Sequence, residues 1–424
     1  MNPPSTTPPP ASTPRPIRIA GCSGSAIDRR HAMALLAANH PDDPVDVITG
    51  DWMSESNMTA RAIAKATHPD LHAYEPTFLE ALEPALPTSP GTASSDTRTL
   101  HRVVTDLVRR KGLDLNVAYI TGDEVPLALL RDASSRFTNL CTGQDLADWP
   151  FTPSPPKPTS AGSVSRSPSP AAPTSSSAAA SATPLHELAN AFVAGHLIEC
   201  SSYVCGGNFT GFKALAAHGW DDIGFPIAEI SPNGQVVITK NRASGGQVSP
   251  QTCTAQLLYE IQGPWYFNSD VTALLTHAAF HQLSPNRVAL HGITADLPPP
   301  TTKLGLTAPG GYQAEIHWFL TGLDIPQKAH MLETQIRRLL QPHAHRFTAL
   351  TFTLHGTVPC NPANQPTATV PLRILVQAPH AEDIAVPKFL RPCLDTIMQA
   401  YPGATPHLDT RLGLPRPIQE YFPT

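Results

Sequence analysis

Apolar residues recur along this chain with two different periods, and the switch between them lays out the elements. Short runs rich in Ile, Val and Ala at 17–20, 45–48 and 116–120 read as strands, each ending in small or polar residues. Helical spacing follows over 28–38, 53–66 and 100–112, the last with Arg109, Arg110 and Lys111 in its final turn and Gly112 as its stop. Repeated strand–helix units predict an α/β fold with a doubly wound, mostly parallel, Rossmann-like sheet. An amphipathic run at 185–204 leads into Cys205-Gly206-Gly207-Asn208, after which 222–230 and 235–240 read as the arms of a hairpin and 250–261 as a helix. The last third places strands at 287–292, 313–320, 349–356 and 367–376 and helices at 326–340 and 387–401, which predicts an α+β sandwich. Ile325, Ala329, Leu332, Ile336 and Leu340 mark the apolar stripe of the first of those helices.

Composition then sets the boundaries. Many of the 47 prolines gather at 1–16 and 150–184, segments too poor in apolar residues to offset their ordering entropy and so expected to be a disordered tail and a disordered insertion. Between and beyond them lie an N-terminal α/β part at 17–149, a second part of the α/β core with glycine-rich loops at 185–285, and an α+β C-terminal domain at 286–424. The net charge of −5, with no long basic run, argues against a nucleic-acid partner. No apolar run reaches the roughly 18 residues of a membrane span, and the N-terminus lacks an apolar signal core. Seven cysteines, of which only Cys200 and Cys205 are close, fit neither a zinc knuckle nor a redox pair. Reduced, mostly buried thiols in a cytoplasmic protein are expected.

The candidate chemistry stands just past the carboxyl ends of the predicted strands, where open α/β sheets bind ligands. Gly21-Cys22-Ser23-Gly24 followed by Asp28-Arg29 is a strand–turn–helix that aims backbone N–H groups at an anion. It lacks the further glycines of a dinucleotide fingerprint and the Gly-Lys-Ser/Thr of a phosphate loop. Thr49-Gly50-Asp51, with Glu55 and Asn57 after it, is echoed by Thr121-Gly122-Asp123. Two readings stand for these words: helix caps and ordinary turns, or two edges of one crevice. Gly206-Gly207-Asn208 is likewise a helix end or a backbone-lined ligand loop. Lys240 with Gly245-Gly246 is an anion site or a solvated lysine beside a turn. No His-Glu-x-x-His, Gly-x-Ser-x-Gly or Cys-His metal spacing occurs. The nominated catalytic residues are therefore Ser23, Asp28, Asp51 and Glu55. Ligand binding falls to Gly21, Gly24, Arg29, Asn57, Asp123, Gly206, Gly207, Asn208, Lys240, Gly245 and Gly246, with no metal site and no cofactor assigned. Glu260 joins the carboxylates from the middle of the chain.

Taken in order, these words resemble the acyclic terpene utilisation family of AtuA-like proteins, catalogued as a domain of unknown function. The matching stretches are Gly21-x-Ser23-Gly24 with Asp28-Arg29, Thr49 to Glu55 with Asn57-Met58-Thr59, and Asp114 to Tyr119 with Gly122-Asp123. Gly195-His196-Leu197-Ile198-Glu199-Cys200 with Gly206-Gly207-Asn208-Phe209, Asn233-Gly234 to Lys240, Gly245-Gly246 and Gln256 to Glu260 continue the likeness. Gly310 to Glu315, Arg391-Pro392-Cys393 and Tyr401-Pro402-Gly403 complete it, over most of residues 17–422. The wording is closest to fungal-type members that lack the small C-terminal domain. Two strand-end loops usual in the family, one with Asn-Ala-Gly-Gly and one with Ile-Thr-Gly-Arg, are replaced here by 87–97 and by the Pro/Ser/Ala insertion.

The resemblance implies a protein of acyclic terpenoid or branched acyl-CoA breakdown, with a CoA thioester as substrate and a biotin-dependent carboxylase-type protein as partner. Carboxylates in a crevice suit general acid–base chemistry beside a thioester carbonyl, of lyase or hydratase type. Glycine-rich backbone suits an oxyanion or a CoA phosphate. The alternative is a non-catalytic or degenerate binding or assembly protein attached to such carboxylases.

Overall fold

The computed structural model describes residues 14–38, 41–67, 72, 74–86, 93–94, 97–120, 137–151, 157–158, 185–242, 244–301, 303–407 and 414–423. Two compact units divide the chain, one made of 1–143, 155–305 and 421–424, the other of 144–154 and 306–420. The expected tail and insertion fall almost wholly outside the described residues, as does Asp123.

In the first unit the N-terminal elements are β1 (Ile17–Gly21), α1 (Ala32–Ala38), β2 (Val47–Thr49), β3 (Asp51–Trp52), α2 (Glu55–Thr67), α3 (Pro76–Ala85), β4 (Ala93–Ser94) and α4 (Thr97–Arg110). After the insertion come α5 (Leu185–Glu199), β5 (Pro226–Ile230), β6 (Val236–Lys240) and α6 (Pro250–Leu258). A run of strands follows: β7 (Trp265–Phe267), β8 (Thr272–Leu274), β9 (Ala279–Ser284), β10 (Arg287–His291) and β11 (Thr294–Asp296). The main sheet has six strands in the order β9-β10-β6-β5-β1-β2. Side chains alternate across it, so each strand serves two cores. Ala20 and Ile227 join Met33, Leu36, Phe78 and Leu82 of α1 and α3 on one face. Their neighbours Ile19 and Ala228 join Val193, Leu197 and Cys253 of α5 and α6 on the other. Helices on both faces of one sheet give a three-layer α/β arrangement.

That sheet is not the mostly parallel one expected. Within it only β1 and β2 run parallel, with Gly21 opposite Thr49. β5 lies antiparallel to β1, and the pairs β5–β6, β6–β10 and β9–β10 are antiparallel as well. β5–β6 and β9–β10 are hairpins, whose tight turns oblige the arms to run in opposite directions, and each hairpin adds to the sheet by a long-range antiparallel pairing, β5 with β1 and β10 with β6. The strand expected at 116–120 is not formed. Its backbone turns to α4 instead, where Val117 O lies 3.1 Å from His101 Nε2 and the Tyr119 ring stands 4.7 Å from the His101 ring.

The second unit carries β12 (Lys303–Thr321), whose first residues are counted with the first unit, then α7 (Ile325–Leu340), β13 (Ala349–Leu354), β14 (Thr369–Ala378) and β15 (Ala404–Pro406). Its sheet runs β13-β14-β12-β15, with antiparallel neighbours. Ile316, Trp318 and Leu320 of β12 and Leu372, Ile374 and Val376 of β14 pack on Leu332, Ile336 and Leu340 of α7. The unit begins at Leu306 rather than 286 because β10 pairs with β6 in the first unit's sheet. The helix expected at 387–401 is helical only over Leu390–Leu394; beyond it Ile397 and Gln399 bond three residues back, at 3.0 Å each.

Candidate functional site

The parallel pair β1–β2 places two strand ends side by side, and the site grows from them. Cys22 N donates to Thr49 O at 2.8 Å and Asp51 N to Ser23 O at 2.9 Å, so the two loops leave the sheet together. Trp52, buried edge-on against Phe78 with ring centroids 5.3 Å apart, fixes the residue beside Asp51. Met53 N then donates to Asp51 Oδ1 at 2.7 Å. The C-terminal end of α5 seats against the same loops, and only glycine admits it. A Cβ on Gly21 would collide with the Ile198 carbonyl oxygen, and one on Gly24 would lie 2.8 Å from Cys200 Cα. This seat brings Glu199, the last residue of α5, into hydrogen-bond contact with Asp51.

Two carboxyl groups in contact cannot both stay charged cheaply. Burial lifts Asp51 above the ordinary carboxylate range; the Met53 N–H and the bond from Glu199 pull it back, while the charges of Glu55 and Glu260 push it up. Burial drives Glu199 further, up to about 8, with the Asp51 and Glu260 charges and the Asp51 bond adding to the rise and the Cys200 thiol opposing it. Its place at a helix C-terminus, where the peptide dipoles disfavour an anion, acts the same way. Burial and acidic neighbours thus favour the neutral form of Glu199. Among the described residues the leading influences on both carboxyl groups are burial and other acids, not cationic side chains. Both residues are half-buried, enclosed by protein yet still reached by solvent. The arrangement is an acid beside a base.

Cys200 and Tyr259 act on the carboxyl groups electrostatically, and the charges of Glu199 and Glu260 act on Cys200 in return. Burial pushes the Cys200 thiol and the Tyr259 phenol well above their usual ranges. Burial and the charges of Glu199 and Glu260 carry Tyr266 to about 12. Ser201 and Glu260, next in sequence to Cys200 and Tyr259, hold left-handed backbone at φ 53° and 61°. Non-glycine residues adopt that conformation only where the surroundings impose it, and such positions concentrate at functional sites.

The other sequence candidates are distributed differently. Glu55 opens α2 as an exposed carboxylate and acts on Asp51 through its charge. Asn57 Nδ2, two residues on, is buried with no partner among the described residues. Ser23 is buried, and its hydroxyl donates to Ser25 O at 2.7 Å. Asp28 accepts from Gly24 N at 3.3 Å and from Arg29 N at 2.7 Å, the work of a turn former. Arg29 ties loops together: it donates to Ile223 O at 2.5 Å and to the Ser202 hydroxyl, and lies 3.9 Å over the Phe225 ring. Lys240 Nζ donates to Asn241 O, Ser244 O and Ser244 Oγ at 3.2, 2.9 and 2.7 Å, and burial lowers its pKa.

The glycine-rich words turn their N–H groups inward. Gly206, at φ 108°, ends a short helical turn by donating to Ser202 O and Tyr203 O, and Gly207 N donates to Ser202 O at 2.9 Å. Gly245 N donates to Asp222 O at 2.9 Å and Gly246 N to Gly219 O at 2.8 Å. Asn208 is exposed, with left-handed backbone at φ 52°. These donors are engaged within the protein, so the candidate proton-transfer groups are Asp51, Glu55, Glu199 and Glu260. Glu199 is not among the sequence candidates, although an acid in the last turn of a helix, against the dipole, is a readable signal. No cluster of three or more His, Cys, Asp or Glu able to hold a metal occurs among the described residues.

Comparison with known proteins adds one finding. Neither a curated protein nor a solved structure matches the chain. The family described as acyclic terpene utilisation family protein AtuA matches residues 17–157 and 171–424, running unbroken through 87–97 and leaving only 158–170 of the insertion unmatched. With the match covering nearly the whole chain, the protein belongs to the acyclic terpene utilisation (AtuA) family.

Proposed function

We propose that this protein is an acid–base enzyme of acyclic terpene utilisation that moves a proton at the carbon next to the carbonyl of a branched acyl thioester, an acyl-CoA. The observation that carries the reading is the contact between Asp51 and a Glu199 that keeps its proton up to about pH 8. Pairs of titratable groups whose surroundings set one as acid and one as base assign the roles directly. Asp51, charged, takes the α-proton; Glu199, neutral, donates a hydrogen bond to the carbonyl oxygen as negative charge develops there. Burial, with the charges of Asp51 and Glu260, keeps the acid protonated. Acyclic terpene utilisation comes from the family to which the chain belongs.

The test is deuterium uptake from heavy water into isobutyryl-CoA, followed by mass spectrometry. Wild-type protein is expected to exchange the α-proton, and Asp51→Asn to lose about two to four orders of magnitude of that rate. Normal exchange by a folded Asp51→Asn overturns the assignment. Binding of isobutyryl-CoA without exchange by the wild type points instead to a binding or assembly protein working beside a carboxylase.

A further inference from the structure

The main sheet ends on β9 and β2, and the sheet of the second unit on β13 and β15. An open sheet edge is a template for another strand, and proteins blunt it with short strands, bulges or proline. β2 and β15 are three residues long, Pro406 closes β15, and β9 shifts register between Gln282 and Ser284. β13 has none of these devices. Its six residues pair with β14 in unbroken register, from Ala349 opposite Gln377 to Leu354 opposite Leu372, and include no charge and no proline. Among the described residues no strand pairs with its other side.

Hydrogen-bond alternation fixes which groups of β13 face outwards. His355 N donates to Pro371 O at 2.8 Å, so His355, and with it Thr353 and Thr351, bond inwards to β14. Leu350, Phe352 and Leu354 therefore turn their N–H and C=O groups to the open edge. Their side chains lie on the α7 face of the sheet and are only partly buried, whereas their register partners Val376, Ile374 and Leu372 are buried. An unpaired main-chain edge and a half-covered apolar row thus coincide. The residue order adds a symmetry: Leu350-Thr351-Phe352-Thr353-Leu354 reads the same in both directions.

We propose that β13 is a dimer interface, in which two copies of this chain pair their β13 strands antiparallel about a two-fold axis at Phe352 and join two sheets into one. Two-fold pairing sets a strand against its own reverse, and a palindrome then meets itself residue for residue. Phe352 faces Phe352 of the second copy, and Leu350 faces Leu354, each pair exchanging its outward N–H and C=O groups. On the opposite face each Thr351 stands beside a Thr353. Aromatic pairs and Thr–Thr pairs are both favourable across strands. Charge along the seam is matched as well: Arg337 of α7 lies 4.7 Å over the Phe352 ring and holds Glu333 at 2.7 Å. Each copy therefore brings to the axis a cation already balanced by an anion, and no strand charge opposes the pairing. A strand from another protein makes no use of the palindrome; a second copy uses all of it. The inference stands apart from the acid–base reading, since none of these residues belongs to that site.

Sedimentation of the full chain tests the interface. Wild-type protein is expected to sediment as a dimer at about 0.1 mM. Thr351 and Thr353 are exposed, so Thr351→Lys with Thr353→Lys spares the core while setting lysine against lysine across the axis. The dissociation constant of the dimer is expected to rise about tenfold or more, with the circular dichroism of a folded chain retained. Thr351→Glu with Thr353→Glu is expected to weaken association likewise, and an equal mixture of the two variants to recover it, because each lysine then faces a glutamate. A wild-type monomer at about 0.1 mM overturns the proposal and leaves the edge to an extended segment of another protein. An unchanged dissociation constant in the lysine variant places the dimer contact elsewhere and overturns it too. So does a mixture that associates no better than its components.

Discussion

Glu315 and Glu199 are both half-buried carboxylic acids on ordered backbone, one on a strand of the C-terminal unit and one at the end of a helix in the first unit. Burial pushes Glu315 up, but hydrogen bonds from Arg373 at 2.7 Å and from His317, with their charges, outweigh it and leave Glu315 below the usual range. Asp383 is held down in the same way by Arg346, with Lys388 adding to it. Glu199 is buried more deeply and has the opposite neighbours, carboxylates in place of cations, and rises to about 8. The difference teaches that burial and the sign of the partner act together: deep burial beside acids raises one carboxyl group, and cations lower the other against a milder burial. Cross-strand pairing supplies a cation to Glu315, whose neighbour on β14 is an arginine two residues from its register partner Leu375. The seat of α5 on β1 and β2 supplies Glu199 with another acid. A half-buried carboxyl group whose neighbours are acids is the arrangement expected of a functional group rather than of a structural pair.

Four changes break or sharpen this contrast, from the largest effect to the smallest. Asp51→Asn removes the base from the pair and is expected to lower α-proton exchange by about two to four orders of magnitude, with circular dichroism and melting near wild type. Glu229→Ala removes a carboxylate of the structural kind, one that holds Arg287 at 2.6 Å and Arg18 at 3.2 Å across the main sheet. It is expected to destabilise the protein by about 2 kcal/mol in urea unfolding, because Arg287 loses its carboxylate and Arg18, which keeps Asp43 at 2.9 Å, loses one of two.

Glu199→Gln should do the reverse. The folded-state pKa of Glu199, about 8, lies above its unfolded value, so its contribution to stability is full below the unfolded pKa and is lost as pH rises through about 8. The amide cannot ionise, so the variant is expected to be about 1–3 kcal/mol more stable than wild type at alkaline pH, a figure discounted for the solvent that reaches this group. It should be nearly equal to wild type in acid. Loss of stability at alkaline pH on this substitution would place Glu199 among the structural carboxylates. Glu315→Gln is the smallest effect, about 1 kcal/mol or less for a half-exposed pair. Its contribution is present above the unfolded carboxylate pKa and is lost as pH falls through the depressed folded value. The two glutamates thus give opposite slopes of stability against pH.

Much of this was readable before the fold. The βα words placed Asp51 and Glu55 at a strand end because a short apolar run followed by Gly-Asp has few other meanings in an α/β protein. The apolar stripe of α7 likewise identified itself, since Ile325, Leu332, Ile336 and Leu340 are the residues its core buries. Sheet direction was not readable. Whether β1 is flanked by parallel or antiparallel neighbours depends on where the β5–β6 hairpin inserts, a contact between residues more than 200 positions apart, such as Ile17 with Ile230. The strands of 265–296 are short and lack clean alternation, so only β10 among them could be drawn from periodicity. Glu199 was quoted as part of a motif and passed over as a site. Its partner Asp51 lies far away in the chain, and no local spacing announces such a pair. Lys240 and Arg29 show the converse: cations beside glycine-rich turns suggest an anion site, yet their donors are engaged by backbone carbonyls and hydroxyls of the same loops.

Gly21 and Gly24 take no part in any proton transfer, yet they decide whether one can occur. Each occupies a point where two stretches of main chain meet without room for a single methyl group. The positions most open to silent damage are thus ones that carry no side chain. A Gly24→Ala chain would retain every acid, thiol and phenol of the site in its sequence and would pass any inventory of reactive residues, while Asp51 and Glu199 were wedged apart. In sorting natural variants of this protein into active and inactive, the clearance around α5 deserves to be read before the chemistry it brings together.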